Sequence, residues 1–224
     1  MKIQDFQKQV RVMYSRAILE KIQRHPEGEP FKAGMFLEIA PMPAIRKALS
    51  KLVKFGALMR VTRGVYVRPK ISRYAGSVTP SSEAILRLVA EGETITLSGT
   101  EAAQRFGLIT QMVLKEIYWT SGRTRQIRLT TGSIIYLRHA SPRTLALSGR
   151  PAGYALIALW GLGKTWLTSR HIHILRRKIP PEEFQTLREA ESLMPRWMKD
   201  KFLEEESSPE KWEQWEKTCS DTEE

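Results

Sequence analysis

The chain has 224 residues, of which 42% are hydrophobic, and this is enough for one large or two small folded domains. Its 36 Lys and Arg against 24 Asp and Glu give a formal net charge of +12, which favours polyanionic partners. A single cysteine, Cys219, excludes an intramolecular disulfide and a thiolate metal site. The sequence has no apolar run typical of a signal peptide or a membrane span, so we expect a cytoplasmic protein that does not contact the membrane.

The N-terminal elements predict a DNA-binding domain. We expect a helix over 4–23, breakers at 25–30, a brief helix over 34–39 and a longer helix over 43–55, in which apolar residues recur at three- and four-residue spacing. Residues 57–70 then read as a basic β-hairpin with a tight Thr-Arg-Gly turn. A cationic helix followed at once by a cationic hairpin is the pattern of a winged helix-turn-helix, and DNA is the partner that this pattern predicts.

The cations of this domain are the candidate DNA ligands. On the longer helix we expect base and backbone contacts from Pro43, Arg46, Lys47, Ser50 and Lys51. On the hairpin we expect phosphate or minor-groove contacts from Arg60, Arg63 and Arg68. The alternative for some of these residues is that they only keep the domain soluble.

The charge along the chain predicts the domain boundaries. Residues 1–75 carry 16 basic and 5 acidic side chains, whereas 204–224 carry 2 and 9. We therefore predict a DNA-binding domain over 1–75, a linker within 71–82, a partner-binding domain over 76–205 and an acidic, solvated tail over 206–224. Trp212 and Trp215 are unusual for a disordered tail, and they could anchor either on a partner or on the basic surface of the chain itself.

The second half predicts an α+β domain. A helix over 83–91 with Ser81 or Ser82 as its cap, a strand over 93–97 and a helix over 101–106 come first. Three β-type runs, 113–120, 124–129 and 133–139, are separated by Ser-Gly and Thr-Gly turns and predict a small antiparallel meander. The remainder predicts helices over 152–162, 167–178, 181–194 and 196–205.

No catalytic or metal site is predicted. The segment Gly161 to Thr165 ends like a phosphate-binding loop, but Ala158 stands where the first glycine belongs and no strand precedes it, so a helix end is the better interpretation. His171 and His173 are two residues apart and point to different faces of a helix. We expect neither a cofactor nor a metal.

Four arginines of the predicted sheet are candidates for partner binding: Arg123, Arg125, Arg128 and Arg138. An acidic surface on a protein, or a second polyanion, would match them. An ordinary exposed strand face with cationic edge protection explains the pattern nearly as well.

Several motifs together resemble a known family. They are G-V-Y-V-R-P-K at 64–70, T-P-S at 79–81, L-S-G-T-E-A-A-Q-R-F-G-L at 97–108 followed by T-Q-M-V at 110–113, and Y-W-T-S-G-R-T-R at 118–125. In this order and spacing the chain, over residues 1–164, resembles the AbiEi-type antitoxins of abortive-infection toxin-antitoxin systems. The resemblance implies an N-terminal winged helix that represses its own operon, compatible with a homodimer on DNA, and a C-terminal domain that neutralises a nucleotidyltransferase-like toxin. The alternative is a winged-helix transcriptional regulator whose second domain senses a ligand or dimerises.

Overall fold

The computed structural model describes residues 3–72, 76–111 and 114–208, together with 210, 212 and 214. For residues 3–12, 71, 72 and 76–78 it describes the backbone alone. The chain divides into two compact units, the first made of residues 1–92 and 127–135 and the second of 93–126 and 136–224. Helices and small sheets alternate in this chain, so the predicted mixed α+β fold class is confirmed.

The described α-helices are α1 (Ile3–Arg24), α2 (Met42–Lys54), α3 (Ser82–Val89), α4 (Gly99–Arg105), α5 (Pro142–Leu145), α6 (Pro151–Trp166), α7 (Ser169–Lys178), α8 (Pro181–Glu189) and α9 (Arg196–Glu206). Short 3-10 helices cover Ala33–Phe36 and Glu191–Leu193. The described strands are β1 (Pro30–Lys32), β2 (Met59–Thr62), β3 (Val65–Val67), β4 (Lys70–Ser72), β5 (Gly76–Val78), β6 (Ile95–Leu97), β7 (Ile117–Thr120), β8 (Arg125–Arg128) and β9 (Ile134–His139).

The first unit contains the predicted helix and hairpin. Strands β1, β3 and β2 form an antiparallel sheet in that order, and the two-residue turn between β2 and β3 has Gly64 at a φ of +78°, which glycine adopts without strain. The fully buried side chains Phe36, Ile45 and Leu49 join α2 to the rest of this unit. Both the longer helix and the hairpin that the sequence predicted are thus confirmed.

The segment after the hairpin is more ordered than the predicted linker. Strands β4 and β5 pair in antiparallel fashion where the sequence predicted only loop. The predicted cap of α3 is confirmed as Ser81, whose Oγ accepts a hydrogen bond from Ala84 N at 3.3 Å. Because Ile85 of α3 is buried in one cluster with Val61 and Val65, the first unit extends beyond residue 75.

Residues 127–135 belong to the first unit although they are distant in sequence. Thr130 N donates a hydrogen bond to Val61 O at 2.9 Å, and Thr62 Oγ1 donates one to Arg128 O at 2.9 Å. Leu129 packs against the cluster that contains Val61. Since β2 is an edge strand of its sheet, the bond to Val61 O covers a backbone group that would otherwise be open for pairing.

The predicted antiparallel meander is wrong in its strand order. The four-stranded sheet has the order β6, β7, β9, β8, and β9 runs parallel to β7. Strand β9, with the fully buried Ile135 and Leu137, lies inside the sheet, whereas β6 and β8 lie at its edges. The predicted first strand began at Val113, which lies outside the described residues, and the observed strand begins at Ile117.

Helix α6 is the centre of the second unit. It is apolar on nearly every face, and Ala155, Leu156, Ile157 and Leu159 among others are fully buried, as expected for a helix surrounded by protein. Helix α4 packs directly on it. A Cβ added to Gly99 would lie 2.8 Å from Gly161 N and 2.9 Å from Ile157 O, so only glycine allows the two backbones to approach this closely.

The predicted solvated tail is wrong at its start. Trp212 is buried, its ring stacks on His173 with the centroids 4.8 Å apart, and its Nε1 donates a hydrogen bond to Glu205 O at 2.9 Å. Of the two anchors that the sequence left open for Trp212, the chain itself is therefore the one observed. Trp215 and Cys219 lie outside the described residues.

The close contact between α4 and α6 predicts how a methyl group added at Gly99 would change the stability of the protein. Gly99→Ala should destabilise the protein by about 1–3 kcal/mol, because the new Cβ must push apart two backbones that have no room to yield. Thermal unfolding of the full chain measures this effect. Gly34→Ala is the control, since its Cβ would meet only Leu37 Cδ1 at 3.9 Å, and an equal loss in both variants would contradict the prediction.

Candidate functional site

Helix α2 separates its apolar and cationic residues completely. Met42 begins the helix after Pro41, and Pro43 lies in the first turn, where its missing N–H needs no partner. At 3.6 residues per turn, the buried residues Ile45, Ala48 and Leu49 lie on one side. The exposed residues fall within an arc of roughly 140° on the other side, and they are Pro43, Arg46, Lys47, Ser50, Lys51 and Lys54.

Lys54 is the member of this arc that the sequence analysis left out of the site. It continues the row of Lys47 and Lys51 at a spacing of four and then three residues, and that spacing was the signal that could have found it. Within the described part of the chain, no carboxylate forms an ion pair with Arg46, Lys47, Lys51 or Lys54. This face of α2 therefore carries uncompensated positive charge.

The hairpin adds two exposed cations. Arg63 stands in the turn between β2 and β3, and Arg60 precedes a register shift in β2, where its Nε donates to Thr62 O at 3.3 Å. The carbonyl of Arg60 accepts a hydrogen bond from Thr130 Oγ1, which fixes the backbone at this point. Both guanidinium groups remain at the surface.

Arg68 differs from the other candidates because its guanidinium is already bound. Nη1 donates to Gln23 O at 2.6 Å and to His25 O at 2.9 Å, and Nη2 pairs with Glu27 at 2.6 Å. A cation that binds the last carbonyls of a helix compensates both their missing hydrogen bonds and the helix dipole. Arg68 therefore stabilises the end of α1, and its guanidinium is not free for the DNA contact that the sequence predicted.

Because Arg68 holds the end of α1, we expect its substitution to lower stability more than substitution of the exposed arginine in the hairpin turn. Arg68→Ala should lower the free energy of unfolding by about 1–3 kcal/mol, because several charge-assisted hydrogen bonds are lost at once. Arg63→Ala, at an exposed turn, should change it by no more than about 0.5 kcal/mol. Urea unfolding of both variants measures the difference, and equal midpoints would contradict the structural role.

The four arginines predicted for partner binding differ in exposure, in their bonds and in the unit to which they belong. Arg123 lies in the turn before β8 and is exposed, as is Arg138 on β9. Arg128 is also exposed but belongs to the first unit, whereas the other three belong to the second. Arg125 is half-buried and pairs with Glu93 at 2.9 Å. Arg123 and Arg138 are the two that remain available in the second unit.

The motif at 118–125 is explained by the environment of Glu93. The Glu93 carboxylate accepts hydrogen bonds from Thr120 Oγ1 at 2.6 Å and from Arg125 Nη1 at 2.9 Å, and Gly122 N donates to Thr120 Oγ1 at 3.0 Å. These bonds, that from Arg125 first, lower the pKa of Glu93 below its ordinary value. Any Cβ on Gly122 would collide with the same carboxylate. These bonds of the motif hold the segment between β7 and β8 in place.

The two histidines of α7 have different structural roles. His171 Nδ1 accepts hydrogen bonds from Thr168 N at 3.1 Å and completes a capping box, while His173 is buried 3.3 Å from Glu205. Among the described residues no group of three or more His, Cys, Asp or Glu side chains could hold a metal ion. Gly163 has a φ of +65° near the end of α6, so the interpretation of this segment as a helix end is confirmed.

His171 predicts a pH effect on stability. Burial lowers the pKa of the half-buried His171 below its ordinary value of 6.5, so the folded state prefers the neutral ring whose Nδ1 accepts the Thr168 bond. This contribution is complete above about pH 6.5 and is lost as the pH falls through the lower folded-state pKa, because the unfolded chain takes up the proton first.

His171→Gln should therefore keep the stability at pH 7.5, since glutamine also completes a capping box, and lose less of it at pH 5.5 than the native chain. Melting temperatures across this range measure the difference. His139→Gln is the control, because it changes an exposed histidine whose Nδ1 lies 2.9 Å from Gly122 O and not at a helix cap. Parallel pH curves for His171→Gln and the native chain would contradict the assignment.

The fold and the site define a mixed α+β chain whose first unit presents an uncompensated cationic helix and hairpin. Residues 17–184 match the family of unknown function DUF6088, and the chain belongs to this family. No curated protein shows significant similarity to the chain. Over the described residues, no helix is long and apolar enough to cross a membrane.

Proposed function

We propose that this protein is the antitoxin of a toxin-antitoxin system, which binds operator DNA through α2 and the β2–β3 hairpin and neutralises a nucleotidyltransferase-like toxin through its second unit. The proposal requires no cofactor. It assigns the winged-helix role to the first unit and the protein-binding role to the second.

The exposed face of α2 is the observation that carries the DNA-binding half. Arg46 and Lys47 lie in the first two turns of the helix, and the hairpin with Arg60 and Arg63 follows directly in the chain. Neutralising phosphates with such cations releases counterions and favours binding to any DNA, while a guanidinium can bind guanine in a bidentate manner. Because no described carboxylate pairs with the α2 cations, their charge is free for phosphates.

The antitoxin half is supported by the resemblance at 97–113 and 118–125 and by the chemistry of the second unit. Its described carboxylates at Glu93, Glu183 and Glu205 are bound within the fold, and none of them stands as a free acid or base. Binding through exposed cations is the use that fits such a domain. Arg123 and Arg138 are the best candidates for an acidic toxin surface.

The alternative is a winged-helix regulator whose second unit has no toxin partner. It shares the DNA-binding half and differs only in what the second unit does. A toxin encoded in the neighbouring gene is the observation that separates the two.

Gel shifts on the DNA upstream of the gene test the DNA-binding half. Arg46→Ala should cost about 1–3 kcal/mol of specific binding and relax the sequence preference, because a base contact is lost. Arg63→Ala should weaken binding to all sequences alike and reduce the salt slope by about 1, because a phosphate contact is lost. Arg196→Ala removes an exposed cation of α9 and is the control. If Arg46→Ala binds no worse than Arg196→Ala, the proposed interface is wrong.

Co-expression with the neighbouring toxin gene tests the antitoxin half in the full-length chain. Arg46→Glu with Lys47→Glu should abolish operon repression and keep rescue, whereas Arg123→Glu with Arg138→Glu should impair rescue and keep repression. Each of these positions is exposed, so stability should shift by only about 0.5 kcal/mol per residue. Arg196→Glu should leave both activities unchanged. If the α2 variant loses rescue, protection works through DNA and the regulator alternative replaces this proposal.

A further inference from the structure

A cavity of about 580 Å³ opens in the second unit where α4, α6 and α7 meet. Its apolar lining comes from Ala103, Leu108, Ile109 and Leu162, and Trp166 and His171 also contribute. The volume falls within the range of about 300–1,000 Å³ that is typical of binding pockets. Two segments that the sequence analysis singled out, 97–113 and 161–165, contribute to its wall, and neither is used by the proposed DNA or arginine surfaces.

The walls of the cavity are fixed by close packing and capping. Helices α4 and α6 are held together at Gly99 and Gly161, where no Cβ could be placed. The start of α7 is held by the capping box of Thr168 and His171. A pocket with such walls exists before its ligand arrives, which reduces the entropic cost of binding.

Trp166 stands at the cavity with 73% of its surface exposed. Leaving a large aromatic side chain in water beside an open apolar pocket forgoes the stabilisation of burying it. Tryptophan is among the residues that most often dominate the binding energy of protein interfaces. The exposed residues Thr110 and Gln111 add hydrogen-bonding groups at the same place.

The segments around the cavity are strongly cationic. Residues 97–115 and 160–178 contain one acidic residue, Glu101, against seven Lys or Arg. Of these seven, Arg105 pairs with Glu101 at 3.3 Å and Arg176 pairs with Glu205 at 2.6 Å. Lys164 is exposed and lies in sequence between Leu162 and Trp166. Lys178 is close to Gly107, which precedes Leu108 of the wall, since its Nζ would lie 3.0 Å from a Cβ placed on that glycine. No described carboxylate pairs with Lys164 or Lys178. The surroundings therefore attract negative charge.

We propose that this cavity binds an aromatic or leucine-sized side chain presented by an acidic peptide segment of a partner protein. The apolar wall and Trp166 receive the anchor side chain, and Lys164 and Lys178 attract the flanking carboxylates. A nucleotide fits these observations less well, because the cations lie in the surrounding segments rather than in the wall and the turn at Gly163 is not a phosphate-binding loop. The inference rests on the proposed protein-binding role of the second unit.

Selection of a phage-displayed library of random peptides on the full-length protein tests the proposal without the toxin. Enriched peptides should combine Asp or Glu with one aromatic residue or leucine. Synthetic, fluorescein-labelled copies should lose at least tenfold in affinity when that anchor is changed to Ala or when the acids are changed to Lys. Their binding should also weaken as salt is raised.

Matched variants of the protein locate the binding site. Trp166→Ala and Lys164→Glu change exposed positions and should each weaken the peptide at least tenfold, as should Thr110→Trp, which narrows the opening. Arg196→Glu, with the same change of charge on α9, should not. Circular dichroism verifies that each variant is folded.

The proposal is overturned if no acidic peptide is enriched, or if the enriched peptides bind Trp166→Ala and Lys164→Glu as well as the native chain. It is also overturned if a mononucleotide added at millimolar concentration displaces the peptide and binds with the same dependence on Trp166, since the pocket would then be a small-molecule site. Because rescue from the toxin is measured separately, a failed selection with intact rescue rejects this inference and leaves the proposed function standing.

Discussion

The close approach of α4 and α6 at Gly99 and Gly161 is the constraint on which the second unit depends. With no side chain between them, the two backbones touch, and the fully buried Ala103 and Ile157 pack into the same interface. Helix α6 has a kink at Gly163 near its C-terminal end, and the capping box of Thr168 and His171 holds the start of α7. The cavity beside Trp166 is the space that these three helices leave open.

The positive charge of the surface follows from where the carboxylates are used. Glu183 accepts hydrogen bonds from Arg150 and from Ala152 N at the start of α6, and these lower the pKa of its carboxyl. Glu205 is buried beside His173 and Arg176, and Glu27 holds Arg68. Acidic side chains thus stabilise the fold, whereas the cations of α2, and Lys164 and Lys178 near the cavity, form no ion pair with a described carboxylate. Because many carboxylates are bound within the fold, the net positive charge of the chain is concentrated at particular places on its surface.

Local patterns predicted the elements well, and long-range pairings escaped them. The spacing of Ile45 and Leu49 predicted α2, and the Thr-Arg-Gly turn predicted the hairpin, because both signals depend on neighbours in sequence. The parallel pairing of β9 with β7 could not be read in this way, since no local signal distinguishes a central strand that returns from a meander. Likewise, the partners of Arg125 and Arg68 are 32 and more than 40 residues away in sequence. From the sequence alone, these two structural arginines could therefore not be distinguished from free cations.

The path of the chain also determines how the two proposed activities can be separated by experiment. Residues 127–135 pair with β2 in the first unit, although the strands that lead to and from them, β8 and β9, begin and end in the second. A fragment that stops near residue 75 or 92 would therefore expose the edge of β2 and remove Leu129 from the cluster around Val61. Loss of DNA binding in such a fragment could therefore result from disruption of the sheet and not from removal of a DNA contact. Single substitutions at exposed cations change the surface and leave that sheet intact, so they assign function to a residue where truncation cannot.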